Sequence, residues 1–300
     1  MTLEAQLQAA RSGAAAGPVE ARGLLRVSGR DAQGFLHRMS TQDLQRLRPG
    51  EVAYAAFLEA KGHLVSDALV LRREEDLLLL AAAEAAEPLR AHLARYVLAS
   101  KVAIEDLSRA LACLPVLGPE GIARGASVAG ATMLPDARRG VPAVDLLLPP
   151  DEATRARAAL LAGGAADLSA EALEVLRIEG GVPRFGLDMD PGRLAIECGI
   201  TGAAVHFEKG CYIGQEVVLR GTFRGQVQRG LVLLGLPAGA GPGTPLLAAD
   251  QEVGKVTSAA DAPGGRIGLG LLKRAHWPAG TRLLAAGGEA EVRRSLVEER

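Results

Sequence analysis

The stretch Lys209-Gly210-Cys211-Tyr212-Ile213-Gly214-Gln215-Glu216 is the most informative part of this 300-residue chain. Two glycines bracket Cys211, and Lys209 stands two residues before it. From Gly214 onward the residues are typical of the start of a helix that runs toward Arg220. A nearby cation and the amides of a helix N-terminus both favour the thiolate form of a cysteine. We therefore predict that Cys211 is a functional thiol assisted by Lys209, the alternative being a small structural cysteine in a glycine-rich turn.

Aromatic side chains are concentrated around this octet. The segment 177–224 is about a sixth of the chain and holds four of its nine Phe, Tyr and Trp residues: Phe185, Phe207, Tyr212 and Phe223. Two explanations stay open at this point. A chain poor in rings can gather them into one core, or the rings can line a cleft for a planar ligand.

The composition restricts the class of protein. Hydrophobic residues make up 48% and charged residues 23% of the chain, which is enough apolar surface for a sizeable core and excludes a disordered or fibrous protein. The 34 Lys and Arg against 35 Asp and Glu leave a net charge of −1. Without a global basic field we expect no direct nucleic-acid partner.

Targeting and metal signals are also weak. No apolar run is longer than the seven residues of 77–83, whereas a membrane span needs about 20. The N-terminus lacks the apolar core of a signal peptide, so we expect a cytoplasmic protein with no membrane partner. Three cysteines without a CxxC spacing argue against a disulfide framework and a structural zinc site, and we predict no metal ligands.

Hydrophobic periodicity predicts an α+β body followed by a small β-barrel. The first half contains predicted strands at 23–27, 52–58, 63–71, 76–83 and 102–107, with helices starting at Asp31 and covering 87–99. The second half contains predicted strands at 112–117 and 141–148, with helices at 152–161 and 171–179. After residue 230, short β runs alternate with Pro and Gly turns, which is typical of a small barrel. We predict domains at 1–110, 111–224 and 225–300.

Several common binding motifs are excluded because residues that they require are absent. The glycines at 239, 241 and 243 are followed by prolines and not by a helix, so they do not form a dinucleotide-binding turn. Asp188 and Asp190 begin like a calcium loop, but Gly192 stands where a third oxygen ligand is needed. The five histidines are scattered and form no HExxH motif.

The octet resembles the Lys-Gly-Cys-Tyr-x-Gly-Gln-Glu motif of the YgfZ family, folate-binding proteins related to the glycine cleavage T-protein (GcvT). The similarity extends over most of the chain. Supporting matches are Arg177-x-Glu179-x-Gly181-x-Pro183, Phe35-Leu36 followed by Thr41-x-Asp43, Lys61-Gly62 with Asp67, Gly254-Lys-Val-Thr-Ser258, and Gly268-Leu-Gly270. The resemblance implies a two-part α+β, GcvT-like folate-binding body with a C-terminal β-barrel.

The resemblance also implies a ligand and partners. It implies binding of tetrahydrofolate and a role in assembling or repairing iron-sulfur clusters, so that the partners are iron-sulfur enzymes, including tRNA-modifying ones, or assembly factors. Glu197 stands where the family places a carboxylate that accepts hydrogen bonds from the pterin. Phe185 and Tyr212 are assigned to the same site. Arg220 and Arg224 are expected either to face the glutamate tail or to pair with Glu216 across one helical turn.

The chain departs from the T-protein pattern at two positions. The acidic residue expected of a transferase falls on Pro88, next to Glu87, and the tyrosine of the Leu-Tyr-Gly motif is Phe185. Both departures favour an accessory protein without classical turnover. The alternatives are an aminomethyltransferase or demethylase that uses Glu87 or Asp188 as its base, and a folate-sensing module in which Cys211 is structural.

Overall fold

The computed structural model describes residues 1–98, 100–223 and 227–297. The chain divides into two compact units that are discontinuous in sequence. Unit 1 comprises Met1–Arg22, Leu107–Val182 and Ala260–Ile267. Unit 2 comprises Gly23–Asp106, Pro183–Ala259 and Gly268–Arg300. The division into three consecutive domains stays a prediction.

The described residues form α-helices and three groups of strands. The α-helices are α1 (Leu3–Ser12), α2 (Ala32–Met39), α3 (Ala86–Ala94), α4 (Pro119–Gly125), α5 (Pro150–Ala162), α6 (Ala170–Gly180), α7 (Thr201–Ala204) and α8 (Gln215–Phe223). The strands before the barrel are β1 (Ala15–Ala16), β2 (Gly23–Ser28), β3 (Val52–Leu58), β4 (Leu64–Arg72), β5 (Asp76–Ala81), β6 (Ala103–Asp106), β7 (Ala112–Leu117), β8 (Thr132–Pro135), β9 (Ala143–Leu148) and β10 (Ala166–Asp167). The barrel strands are β11 (Arg229–Gly235), β12 (Pro245–Ala248), β13 (Gln251–Ala262), β14 (Gly265–Lys273), β15 (Arg282–Ala285) and β16 (Gly288–Ser295). Short 3₁₀ segments occur at Ala83–Ala85, Ala137–Arg139, Ala195–Glu197 and Arg274–His276.

The sheet of unit 2 has the strand order β3-β4-β5-β2-β6. Strands β3 and β4 form the predicted hairpin, with Ala56 opposite Asp67. All six residues of β5 are buried, which explains why that strand reads as a continuous apolar run and not as an alternating one. The predicted strands of this half are confirmed.

Helix α3 is shorter than predicted. The apolar spacing suggested a helix over 87–99, but the helix ends at Ala94 and the following Arg95 and Tyr96 are exposed. Residue 99 lies outside the described part of the chain. Pro88 is accommodated because it is the third residue of the helix, where a backbone N–H has no intrahelical partner.

The sheet of unit 1, with the order β10-β1-β7-β9-β8, contains a buried ion cluster. The guanidinium of Arg139 donates hydrogen bonds of 2.9 Å to both Glu20 and Asp145, and lies 3.6 Å from the sulfur of Cys113. Burial raises the pKa of the Cys113 thiol well above its usual value. Helices α1 and α4 and strand β8 of this unit were not predicted; each helix buries two residues and the strand buries one.

The C-terminal strands close into a barrel with the order β11-β14-β13-β12-β15-β16. This confirms the predicted α+β fold with a C-terminal barrel, although β12 was missed in the Gly- and Pro-rich stretch before it. A side chain at Gly254 would collide with the carbonyl of Leu271, so this glycine permits the close approach of β13 and β14. Within the described residues, no helix is long and apolar enough to cross a membrane.

Candidate functional site

Lys209 is buried in unit 2 and holds the octet against the loop after α2. Its ammonium donates hydrogen bonds to the backbone carbonyls of Ser40 at 2.6 Å and Gln42 at 2.9 Å, and to that of His37. Burial lowers the pKa of Lys209 to about 8, an effect that the charge of Asp43 opposes. Since an ammonium has three N–H donors and three carbonyls accept them, Lys209 positions the loop.

Thr41 makes the second set of contacts between these segments. Its hydroxyl donates to the carbonyl of Ala204 at 2.6 Å and accepts from the backbone N–H of Ala56 at 2.9 Å. The carbonyl of Thr41 accepts a 3.0 Å hydrogen bond from the backbone N–H of His206. The Thr41-x-Asp43 motif therefore joins α2, β3 and the segment that leads into the octet.

Cys211 is exposed, whereas the other two cysteines are buried. Its neighbours Lys209 and Tyr212 are buried, so the loop is fixed on both sides of an accessible sulfur. Burial raises the pKa of Cys113 and of Cys198, which makes those thiols poor nucleophiles. Accessibility therefore singles out Cys211 among the three thiols.

A buried histidine lies beside this loop. The Nε2 atom of His37 is 4.0 Å from the position that a Cβ on Gly210 would occupy. On the other side of the ring, Nδ1 lies 3.3 Å from a carboxylate oxygen of Asp43. Burial and the charge of Lys209 lower the pKa of His37, while Asp43 opposes the shift. The lowered pKa favours the neutral form of the imidazole, and its Nε2 edge faces the residue before Cys211.

Helix α8 begins at Gln215, within the octet, as predicted. Gly214 has φ +83°, and a Cβ there would lie 2.8 Å from the carbonyl oxygen of Glu59, so glycine is needed for this close approach. Arg220 is exposed and pairs with Glu216 at 3.3 Å, which is one of the two expected arrangements. Arg224 lies outside the described residues.

The four aromatic residues around the octet do not share one environment. Phe185 and Tyr212 are buried in the core of unit 2. Phe207 and Phe223 form an edge-to-face pair with centroids 5.3 Å apart, and Phe223 is exposed. The hydroxyl of Tyr212 is buried and has no hydrogen-bond partner within the described parts of the chain. Burial raises the pKa of Tyr212 to about 12.

Glu197 ends the 3₁₀ segment Ala195–Glu197 and is half-buried. Burial raises the pKa of its carboxyl group, although Arg193, the backbone of Leu194 and Arg229 oppose the shift. The groups around the Glu197 carboxylate therefore compensate only partly for the hydration that it loses on burial. A ligand that offers N–H donors would stabilise this carboxylate.

The two candidate bases of the transferase alternative are already engaged. Glu87 is exposed and receives two 2.8 Å hydrogen bonds from Arg90, which lower the pKa of Glu87. Asp188 is fully buried and accepts hydrogen bonds from the hydroxyls of Thr257 at 2.5 Å and Ser258 at 2.7 Å. These contacts give Asp188 a role in holding its loop to strand β13.

Sequence reasoning missed His37 and Asp43 as site residues. Asp43 was noted only as part of a motif, and His37 was counted among scattered histidines. A buried histidine two residues from the end of an amphipathic helix is an available signal, but it does not show what the ring faces. Contact with the octet joins residues more than 160 positions apart, and only the tertiary structure reveals it.

Comparisons with known proteins agree with this architecture. Residues 2–130 match the family model described as GCVT N-terminal domain. The aminomethyltransferase of Rubrobacter xylanophilus is 28% identical over 291 residues, which cover 89% of this chain and 78% of the relative. The aminomethyltransferase of Geobacillus kaustophilus is 28% identical, with coverage of 97% and 86%.

A solved structure shows the same fold over nearly the whole chain. The crystal structure of glycine cleavage system aminomethyltransferase T from Bartonella henselae has a TM-score of 0.84 at 22% identity, covering 99% of this chain and 90% of that one. The chain therefore has a GcvT-like fold. The comparisons support the similarity to GcvT-like aminomethyltransferases, the coarser part of the resemblance found in the sequence.

Proposed function

We propose that this chain is a YgfZ-type, tetrahydrofolate-binding accessory protein for the assembly or repair of iron-sulfur clusters, with Cys211 as its functional thiol. The observation that carries the proposal is the exposed sulfur of Cys211 between the buried Lys209 and Tyr212. Holding a nucleophile on a loop anchored by three charge-assisted hydrogen bonds preorganises it. Such an arrangement suits a thiol that acts on a partner.

Tetrahydrofolate fits two features of unit 2. The carboxylate of Glu197 is half-buried with a raised pKa, and it can accept the adjacent N–H donors of a pterin. The buried hydroxyl of Tyr212 has no partner within the described residues, and an unsatisfied hydroxyl costs about 1–3 kcal/mol. Bound folate supplies a one-carbon carrier. The chain's own residues bind and orient it, with Glu197 accepting from the pterin.

His37 supports the proposed chemistry at Cys211. We propose that the imidazole of His37, whose Nε2 lies 4.0 Å from the position of a Cβ on Gly210, takes the proton of the Cys211 thiol, and that Asp43 stabilises the imidazolium that results. The S–H bond breaks, the electron pair stays on sulfur, and the N–H bond forms at Nε2. The thiolate is then the form that ligates iron or attacks a partner's disulfide.

An aminomethyltransferase is the second candidate, because the relatives of Rubrobacter and Geobacillus carry that name. The position of the expected acid is Pro88, and proline can neither accept nor donate a proton. Glu87 and Asp188 are engaged with Arg90 and with Thr257 and Ser258. The assay supplies an aminomethyl group on a lipoyl carrier together with tetrahydrofolate. Release of ammonia above the uncatalysed rate would favour this second function.

A Cys211→Ser variant tests the leading proposal in cells that lack the protein. The exchange is nearly isosteric and lies at an exposed position, so the melting temperature and the folate affinity should stay close to those of the wild type. Iron-sulfur enzyme activity should not be restored. Cys198→Ser is the matched control, which costs stability but keeps function, since a buried hydroxyl is expensive while the sulfur is not used.

Full rescue by Cys211→Ser would overturn the thiol role and leave a folate-sensing module. The partners proposed here are iron-sulfur enzymes, including tRNA-modifying ones, or their assembly factors, and the proposed location is the cytoplasm. Calorimetric titration with tetrahydrofolate tests the ligand independently of the cells.

A further inference from the structure

A basic pocket lies within unit 2, on the barrel. Its volume is about 230 Å³, and it is lined by Arg193, Arg229, Glu252, Val253, Gly254, Lys255, Leu271 and Lys273. Four of these side chains are cationic and one is acidic. The whole chain has a net charge of −1, so this concentration of positive charge is local and is not a consequence of composition.

Three of the four cations have no ion-pair partner among the described residues. Arg229, Lys255 and Lys273 are exposed and form no salt bridge there, and Lys273 donates a 3.2 Å hydrogen bond to the carbonyl of Glu252. The fourth cation, Arg193, is paired at 3.1 Å with Asp190. Like charges on one concave surface repel each other, and a bound anion relieves this repulsion.

The shape of the pocket limits the ligand. Strands β13 and β14 approach each other closely at Gly254, and the uncharged part of the lining consists of Val253, Gly254 and Leu271. Within the lining there is no aromatic ring on which a base or a pterin could stack. A slim segment with several negative oxygens matches the charges and the volume better than a planar heterocycle does.

We propose that this pocket binds a ligand segment that carries at least two closely spaced oxyanions. Two sources share that chemistry: successive carboxylates of a γ-linked glutamate tail, and a phosphoanhydride or phosphoester group. The first source rests on the proposed function, because the tail belongs to folate. It also fits the electrostatic influence of Arg193 and Arg229 on Glu197, which puts the pocket close to the carboxylate proposed for the pterin.

The test compares three probes by calorimetry at low and moderate salt: tetrahydrofolate with one glutamate, tetrahydrofolate with five γ-linked glutamates, and inorganic pyrophosphate. The variant is the double substitution Arg229→Gln and Lys255→Gln. A matched control, Arg30→Gln and Lys101→Gln, removes the same two charges from exposed positions outside the pocket. Melting temperatures report whether both variants fold.

We expect the wild type to bind pentaglutamate more tightly than monoglutamate, or to bind pyrophosphate. The pocket variant should lose about tenfold of that affinity, and the control should lose little, since screened surface charges act weakly at a distance. If the affinity is higher for pentaglutamate than for monoglutamate and pyrophosphate does not bind, the pocket is assigned to the folate tail. If pyrophosphate binds and the two folates bind equally, the pocket is assigned to a phosphate-bearing ligand.

Two results would contradict the proposal that this pocket binds oxyanions. One is equal affinity for both folates together with no binding of pyrophosphate, which leaves the proposed folate function intact. The other is an equal loss in the pocket variant and the control. If neither folate binds but pyrophosphate does, the folate function fails and the pocket stands.

Discussion

The ammonium nitrogen of Lys209 lies 2.6 Å from the carbonyl oxygen of Ser40, a residue 169 positions earlier in the chain. Each carbonyl that accepts from Lys209 belongs to the end of α2 or to the loop after it. A charged donor thus holds together two parts of unit 2 that the sequence keeps far apart. The exposed Cys211 depends on this contact for its position.

Lys209→Met should destabilise the protein by about 2–4 kcal/mol, because three buried carbonyls lose a charged donor while the apolar stem is kept. Urea denaturation at pH 7 measures the change in the free energy of unfolding. Lys101→Met is the control, since Lys101 is exposed and its replacement should change stability by less than about 0.5 kcal/mol. Equal stability of Lys209→Met and wild type would show that these hydrogen bonds contribute nothing net.

The lowered pKa of Lys209 predicts a pH dependence. Its folded value of about 8 lies below the ordinary 10.5, so between these values the folded state holds fewer protons than the unfolded state. The contribution of Lys209 to stability therefore rises with pH across this window, by up to about 1.4 kcal/mol per pH unit. The measurement is the difference in unfolding free energy between wild type and Lys209→Met from pH 7.5 to 10. A difference that falls with rising pH would contradict the lowered pKa.

Glu197→Gln should weaken the binding of tetrahydrofolate by about 1–3 kcal/mol, since an amide places a donor opposite the pterin donors. Calorimetric titration gives the dissociation constant for both proteins. Glu208→Gln is a suitable control, because Glu208 is an exposed glutamate in the same unit. Unchanged affinity in Glu197→Gln would remove this residue from the site.

His37→Gln should slow the alkylation of Cys211 by iodoacetamide at pH 7 by about threefold to tenfold, because glutamine keeps hydrogen-bonding groups but cannot take the thiol proton. The matched control is His276→Gln, in the barrel. Peptide mapping identifies the labelled residue, and Cys113 and Cys198 should stay unlabelled in the native protein because they are buried. An unchanged rate for His37→Gln would assign the histidine a purely structural role.

Asp188→Asn should cost about 2–4 kcal/mol, because Oδ1 already accepts from the hydroxyls of Thr257 and Ser258, and an amide nitrogen in place of Oδ2 would face the backbone N–H of Arg184 that now donates to it. Thermal or urea unfolding measures the loss. Asp261→Asn is the control: its carboxylate is largely exposed and pairs with Arg266 at the surface, so little change is expected. Retained stability with a loss of aminomethyl transfer would instead support Asp188 as a catalytic base.

The sequence determined the helices and strands in which the apolar residues follow one clear period. The hairpin of β3 and β4, the buried run of β5, helix α6 with its glycine end and most barrel strands follow from apolar spacing and from Gly and Pro turns. Helix α1, which buries Leu7 and Ala10, and strand β12, which buries only Leu246, were not predicted. The octet also indicated Cys211 as the cysteine to test.

What only the tertiary structure decided is which groups face one another. From the sequence, the charge of Lys209 was expected to act on the thiol of Cys211, whereas the fold directs its three donors to carbonyls at the end of α2 and in the loop after it. Likewise, the sequence left Phe185 and Tyr212 open between core and cleft, and the fold buries both. Hydrogen bonds and burial depend on distances between segments that are remote in the chain, and linear spacing does not encode those distances.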